Sequence, residues 1–439
     1  MTPLVTPLIT LCLFLLAPHP GIADPLPKAA ASFGPVDPAQ ASLGQLLFYD
    51  PILSGNKTVS CATCHHPRFG TSDGLSLGLG DGGIGVGPKD RHPDPVNPPE
   101  QRIGRNAPAL FNLGAAEFTS LFHDGRLQAD PTRPSGVRTP LGADMEAGFD
   151  SVLAAQAMFP VLSGDEMAGH YSESDVSQAV RLGVLTGPDG AWSILSRRVE
   201  DIPQYRADFT AIIGPRAITF ADIANMIAAF IADEWRADNS PFDLFLRYDF
   251  PLPDPAARGM ALFYGKAGCS ACHAGQFQTD HAFHAIAMPQ IGPGKAARFE
   301  RHNRDTGRMR VTGDPADAYR FRTPSLRNVT RTAPYGHSGA YATLDGVLRH
   351  HLAPVARLRG YDPAQAVLAG PGFDSDFALM ADPAEVAAIA AANELTGVSL
   401  GEDEIADLLA FLQALDSPVG KTGGLGVPDQ VPSGLAVDQ

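Results

Sequence analysis

The sequence predicts a mostly α-helical protein built from two related units in tandem, with long loops. Three observations carry this expectation. Apolar residues recur at helical spacing, most clearly over 219–235, while runs with strand alternation are scarce. A six-residue block occurs twice: Gly44-Gln45-Leu46-Leu47-Phe48-Tyr49 and Gly259-Met260-Ala261-Leu262-Phe263-Tyr264 share the pattern G-x-[L/A]-L-F-Y. Each block is soon followed by the same pentad, Cys61-Ala62-Thr63-Cys64-His65 and Cys269-Ser270-Ala271-Cys272-His273. With 439 residues, 44% of them hydrophobic and 18% charged, the chain has material for two or three cores. Its 45 glycines and 39 prolines, about a fifth of the chain, fall short of the roughly 25–30% that marks low-complexity chains. The formal charge of −15 disfavours nucleic acid as a partner.

The elements follow in order. Residues 8–17, LITLCLFLLA, form an apolar run too short to span a bilayer, and Gly21 and Ala23 supply small residues before a cut. This reads as a signal peptide, 1–23, and implies export to the periplasm; its one departure is the lack of Lys or Arg before the apolar run. A Pro/Ala-rich lead-in runs to about residue 40. The first unit occupies 24–250 and holds an aperiodic Gly/Pro-rich loop, 74–99. Helices are expected over 151–159, 174–185 and 219–235, the last opened by a capping box of Thr219 and Asp222. Residues 251–255, PLPDP, read as a linker. The second unit, 256–416, closes with a capping box at Ser399 leading a helix over 402–415. The tail, 417–439, is expected to be flexible.

Once Cys12 leaves with the leader, every cysteine belongs to a CxxCH. That pentad is the attachment signature of c-type haem. Two cysteines three apart share one face of a helical turn, so both reach the vinyl groups of one porphyrin, and the next residue, His, reaches the iron. A structural zinc site needs its two pairs in one local fold, and here about two hundred residues separate them. A thiol–disulfide centre leaves both histidines unexplained. The fold class is therefore two cytochrome c-like haem domains in tandem, mostly α, with two covalently bound haem c groups, and His65 and His273 as iron ligands.

The far side of each haem sets function. Candidates in the first unit are His66, His92, His123, Met145, Met158, Met167 and His170. In the second they are His281, His284, Met288, His302, Met309, His337, His350 and His351. Spacing alone does not choose among them.

The two CxxCH sites, with Phe321-Arg322-Thr323-Pro324-Ser325-Leu326-Arg327-Asn328-Val329 and Thr332-Ala333-Pro334-Tyr335-Gly336-His337-Ser338-Gly339, resemble the bacterial di-haem cytochrome c peroxidase and MauG superfamily over roughly residues 40–415. The resemblance implies a distal ligand to the second haem fourteen residues past His337. That position is His351, where the family's peroxidases carry Met and MauG carries Tyr; His350 is the register alternative. A bis-His haem has no open position and would relay electrons. At the first haem the family's removable distal His falls at Asp81 here, so the site is open, or His92 replaces the missing ligand. The family's distal acid lies in P-x-x-x-x-x-E-M, matched by Pro160 to Met167, which makes Glu166 the catalytic residue. A calcium ion between the domains is implied at Asn106 and the carbonyls of Thr332 and Pro334, oxygen donors that suit a hard cation. The family's inter-haem Trp is replaced by His123 in Phe122-His123-Asp124-Gly125-Arg126.

The expected function is a periplasmic peroxidase that reduces hydrogen peroxide to water. Its electrons would come from a small donor protein, a cytochrome c or cupredoxin, and enter at the second haem. The alternatives are a MauG-like oxidase that modifies a partner protein and a plain di-haem electron carrier. The missing Tyr at 351 and Trp at 123 weigh against the first alternative, and Glu166 against the second. No membrane span is expected in the mature chain, and a homodimer is compatible with the sequence.

Overall fold

A computed structural model describes residues 26–28, 32–295, 300, 302–418 and 424–439. The leader expected over 1–23 lies outside these residues. Five helices frame the two CxxCH segments: α1 (Pro38–Tyr49), α2 (Phe220–Glu234), α3 (Asp254–Phe263), α4 (Leu344–Leu352) and α5 (Glu402–Gln413). Strands are short. They form two antiparallel pairs, Gly83–Ile84 with His92–Pro93 and Phe283–His284 with Phe321–Arg322, and one three-stranded ladder through Ser120–Leu121, Leu127–Ala129 and Val137–Arg138.

The repeated sequence block has a shared structural job. In each unit its helix crosses the unit's last long helix at a glycine. A Cβ on Gly44 of α1 would stand 1.8 Å from the Met226 carbonyl and 2.9 Å from Phe230 Cβ on α2. A Cβ on Gly259 of α3 would stand 1.9 Å from the Asp407 carbonyl and 2.9 Å from Phe411 Cβ on α5. Only glycine permits backbones this close. The block's Phe and Tyr then fill the space beside each crossing. Phe48 packs on Phe230 with centroids 5.3 Å apart, and Phe263 on Phe411 at 5.2 Å. Two separate cores result, one around α1 and α2 and one around α3 and α5. Phe277 of the second half inserts into the first core.

Helix starts follow local chemistry. Thr219 caps α2 and exchanges hydrogen bonds with Asp222, as its sequence predicts. The predicted helices over 151–159 and 174–185 are shorter, Val152–Ala157 and Asp175–Arg181, with Ser151 and Ser174 as their caps. The box expected at Ser399 is displaced. Gly401 is the cap of α5 and its N–H donates to the Glu404 carboxylate at 2.9 Å, because the acid one turn in reaches that amide. The linker is also tighter than expected, since α3 begins at Asp254 within PLPDP.

The tail corrects the sequence reading. Residues 424–439 dock on the first unit: Val431 is buried in its core, and Glu234 accepts from the N–H groups of Leu425 and Gly426. Ser433 Oγ donates to Asp50 at 2.7 Å, and Thr63 Oγ1, inside the first CxxCH, donates to Asp438 at 2.5 Å. Glycine and proline content suggested disorder, whereas a few apolar anchors and carboxylate acceptors order the segment.

The halves are clamped by buried ion pairs. Arg102 binds Asp376 through Nε at 2.8 Å, and Arg105 binds Asp305 at 2.6 Å. Such pairs fix relative geometry, because separating either partner strands a buried charge.

Candidate active site

The first pentad forms a four-residue helix, Cys61–Cys64, whose opening is fixed by Ser60 N–H donating to Thr63 Oγ1 at 2.9 Å. The second is a tight turn, Cys269–Ala271. None of the four cysteines is in a disulfide. Burial pushes the thiols of Cys61, Cys64 and Cys269 up to about 12, the opposite direction from the lowered values of reactive redox dithiols. The two pairs belong to different cores and do not meet. Among the described residues the one cluster with metal-ligand spacing, Cys272, Asp280 and His284, takes nothing from the first pair.

The two histidines are oriented alike. His65 Nδ1 lies 3.0 Å from the Thr71 carbonyl, and His273 Nδ1 lies 3.0 Å from the Gln278 carbonyl. The carbonyls of Pro108 and Pro324 address the same rings. A carbonyl acceptor keeps the proton on Nδ1 and leaves Nε2 with its lone pair free, the tautomer a metal requires. Burial lowers both histidines below their ordinary range; for His273, held at about 4, the neighbouring His351 adds to the effect.

Cys61, Cys64 and His65 line one cavity of about 1110 Å³, its open mouth included. Its walls are aliphatic, with Leu110, Leu153, Ile227 and Ile231, and a few polar groups converge on it. That donor set, two thiols and one free imidazole nitrogen in an apolar slot, fits a haem. Glu166 lines the same cavity. It sits in a π-turn, Gly164–Ala168, where the Ser163 carbonyl accepts from the N–H groups of Glu166, Met167 and Ala168. The Gly-rich loop braces this turn: Asp81 N–H donates to the Glu166 carbonyl at 3.0 Å, and a Cβ on Gly80 would stand 1.9 Å from the Asp165 carbonyl. The aperiodic stretch is therefore a bracket for the acid.

The other first-unit candidates lie elsewhere. His92 is on an exposed strand paired with Ile84 and does not line the cavity. Asp81 is tied to Asn56 and Thr58. His170 is buried behind the acid's turn, 3.6 Å from Glu100 and 3.9 Å from Asp165. His66 contacts the tail's neighbourhood, and Met145 and Met158 are core residues. Of these candidates, only Met167 and His123 share the cavity with Glu166.

In the second unit His351, on α4, faces His273 with ring centroids 6.4 Å apart. Two imidazoles on opposite sides of one metal, each bonded at about 2 Å, put their centroids roughly 6–6.5 Å apart. His351 Nδ1 is held by the Val347 carbonyl at 2.8 Å, which again frees Nε2. His350 has both nitrogens committed, Nδ1 to Tyr341 Oη at 2.9 Å and Nε2 to the Ile286 carbonyl at 2.8 Å. His281 bonds Glu117, and His284 bridges Asp280 and Glu394. Met288 packs on Gly336, His302 caps Arg304, and Met309 starts a short helix.

Between the units, Asn106 N–H donates to the His337 carbonyl at 2.9 Å, and its side-chain amide donates to the Leu75 carbonyl at 2.8 Å. This leaves the Asn106 side-chain oxygen available; among the described residues no hydrogen bond occupies it or the carbonyls of Thr332 and Pro334. His123 Nε2 lies 3.1 Å from the Asn106 carbonyl, and its own carbonyl accepts from Arg322 N–H at 2.7 Å. Burial, with Arg105 close by, lowers His123 to about 4. His337 stacks on Phe321 with centroids 3.7 Å apart.

Sequence reasoning missed two cavity residues, Asp73 and Lys295. Burial raises the Asp73 carboxyl to about 7. Neither lies in a motif, and Lys295 arrives from the other half, so no local signal marks them.

Two CxxCH segments in separate cores, each with a histidine whose Nε2 is left free, are what a di-haem cytochrome presents. The family model for di-haem cytochrome c peroxidase matches residues 38–250. The chain is 30% identical over 337 residues to the methylamine utilization protein MauG of Methylorubrum extorquens, covering 75% of this chain and 71% of that protein. It is 29% identical over 360 residues to the cytochrome-c peroxidase IdrP1 of Denitromonas iodatirespirans, covering 76% and 78%. Its fold matches the diheme peroxidase BthA from Burkholderia thailandensis at a TM-score of 0.59 with 23% identity, over 96% of this chain and 98% of that one. The protein belongs to the di-haem cytochrome c peroxidase and MauG family, and it is an oxidoreductase of that family.

Proposed function

We propose that this protein is a periplasmic peroxidase that reduces hydrogen peroxide to water, with electrons from a small cytochrome c or cupredoxin. The observation that carries the reading is Glu166 in the same cavity as Cys61, Cys64 and His65. An electron carrier has no use for a carboxylate braced over its haem slot. The short apolar run at 8–17, read as part of a leader, supports export.

Haem, when bound through Cys61 and Cys64 and through Cys269 and Cys272, supplies one-electron chemistry and an iron held by His65 or by His273 and His351. The chain supplies the proton handling. Glu166 takes the proton from one peroxide oxygen and returns it to the other, so that water leaves; such general acid–base catalysis is worth roughly 10²–10⁴-fold. With two electrons and two further protons, one peroxide becomes two waters. His273 and His351 together would hold the second iron, which suits that site to relay. Asn106, Thr332 and Pro334 supply three oxygens to a calcium ion that ties the units together. His123, a weaker electron-hopping residue than the family's Trp, disfavours the MauG-like reading.

The test is stopped-flow spectroscopy with stoichiometric peroxide in the fully oxidised and half-reduced states. With His92 on the surface, the fully oxidised protein should consume peroxide directly, and Glu166→Gln should slow this at least a hundredfold. Reaction only after half-reduction would restore a removable ligand. Silence in both states would make the protein an electron carrier.

A further inference from the structure

The first cavity contains a cation from the other half of the chain. Lys295 lines it, and its Nζ lies 3.9 Å from Glu166 Oε1, an ion pair across the two halves. The approach is not incidental. The segment that carries Lys295 is locked onto the first unit by contacts that leave no room. A Cβ on Gly104 would stand 1.9 Å from the Gly294 carbonyl, and a Cβ on Gly292 would stand 2.1 Å from Leu77 Cδ1. Gly292 N–H donates to the Asp376 carbonyl at 2.8 Å, and Asp376 is itself clamped by Arg102. The neighbouring Gln290 is fixed by Asp305, whose carbonyl accepts at 2.6 Å. The backbone leading into Lys295 is thus packed closely, and its side chain reaches a cavity assembled by the other unit.

The remaining charges near it are already engaged. Arg105 is held by Asp124 and Asp305, and Arg126 by Asp124 while stacked 3.7 Å over Phe122. Asp73 keeps to its own turn, accepting from Leu75 N–H at 2.9 Å. His123 is committed to Asn106.

Resting on the assignment of Glu166 as the distal acid, we propose that Lys295 is its positioning residue: the second unit reaches across to pair with the acid and hold its carboxylate over the first haem slot. The active site is then complete only when both halves are docked. Glu166 is unhelpful if its carboxylate swings out of line with the peroxide oxygens, and a misplacement of about 1 Å can cost 10²-fold. Burial lowers the Lys295 ammonium below its ordinary range, with Arg126 and Arg105 adding to this, while Glu166 and Asp305 oppose it. Its protonated form is needed for the pair, so function is retained below the lowered value and lost as pH rises through it.

The experiment measures the second-order rate of peroxide consumption by the di-haem protein as a function of pH, for Lys295→Met, Lys295→Arg, Glu166→Gln and the double variant Lys295→Met/Glu166→Gln. Optical spectra confirm that both haems are loaded. Lys295→Met should be about ten- to hundredfold slower, a part of the acid–base contribution. Lys295→Arg should recover most of the rate and should lose the alkaline fall, because an Arg side chain stays charged. The double variant should be no slower than Glu166→Gln, since residues that act as one unit are not additive.

A Lys295→Met rate equal to wild type overturns the proposal. So does a loss that multiplies that of Glu166→Gln, which would mean that Lys295 acts on another group, such as a haem propionate. An alkaline fall that persists in Lys295→Arg also overturns it, and this arm stands even where the Met variant folds poorly. A Glu166→Gln protein as fast as wild type instead removes the acid assignment on which the proposal rests.

Discussion

Replacing Gly259 with alanine tests whether the repeated block does the same work in both units. The added Cβ would stand 1.9 Å from the Asp407 carbonyl and 2.5 Å from its carbon, both backbone atoms of α5. Ordinary contact needs at least 3.4 Å, so α3 and α5 must separate by about 1.5 Å, since neither backbone atom can rotate aside. Overpacking of this kind costs about 1–3 kcal/mol, and the Phe263–Phe411 contact loosens with it. The same substitution at Gly44, with a 1.8 Å approach to Met226, should cost a similar amount in the first unit. The assay is urea unfolding of the haem-loaded protein, with each haem's spectrum followed separately. Gly259→Ala should lower the midpoint of the second haem's transition first, and Gly44→Ala that of the first haem. Unchanged midpoints, or loss of the wrong haem, would refute the view that each glycine is the crossing point of its own cytochrome-like unit.

Three further outcomes are expected. His351→Ala should convert the second haem from six-coordinate low-spin to a form that binds added imidazole; an unchanged spectrum would remove His351 as ligand. Asp305→Asn should destabilise the protein by about 3–5 kcal/mol at neutral pH, because it breaks a buried pair. Arg105 holds the Asp305 carboxyl well below the usual range against the opposing effect of burial, so this contribution is fully present above the unfolded carboxylate value of about 3.9 and is lost as pH falls through the folded value; the gap between wild type and variant, measured by denaturant titration, should narrow below about pH 4. Deleting residues 424–439 should destabilise the first unit and expose the Thr63 face of its attachment helix, read as faster proteolysis near Cys61 and as an earlier melting transition of the first haem.

Much of this architecture is legible in the sequence because it depends on neighbours in the chain. The CxxCH pentads and the Thr219–Asp222 cap are local patterns whose physical job is done within one or two helical turns, and the G-x-[L/A]-L-F-Y block is legible because it recurs, although its glycine and aromatic rings act on a distant helix. The fourteen-residue step from His337 to His351 comes from resemblance, and geometry separates the two adjacent histidines: His350 turns both nitrogens to Tyr341 and Ile286, while His351 keeps one free opposite His273. The tail defeats a compositional reading because composition reports average preference, and a few anchors such as Val431 and Asp438 outweigh it.

By itself, the sequence determined that two CxxCH segments exist and that each follows a glycine-bearing helix, while the role expected of Glu166 came from the family resemblance. What only tertiary structure decided is which distant groups share a space. It places His92 on the surface, turns the glycine loop into a bracket for the acid's turn, and delivers Lys295 from the second half into the first half's cavity. Covalent spacing and helical periodicity are properties of a short stretch of chain. The meeting of residues more than a hundred positions apart depends on how two cores pack, which no local pattern encodes.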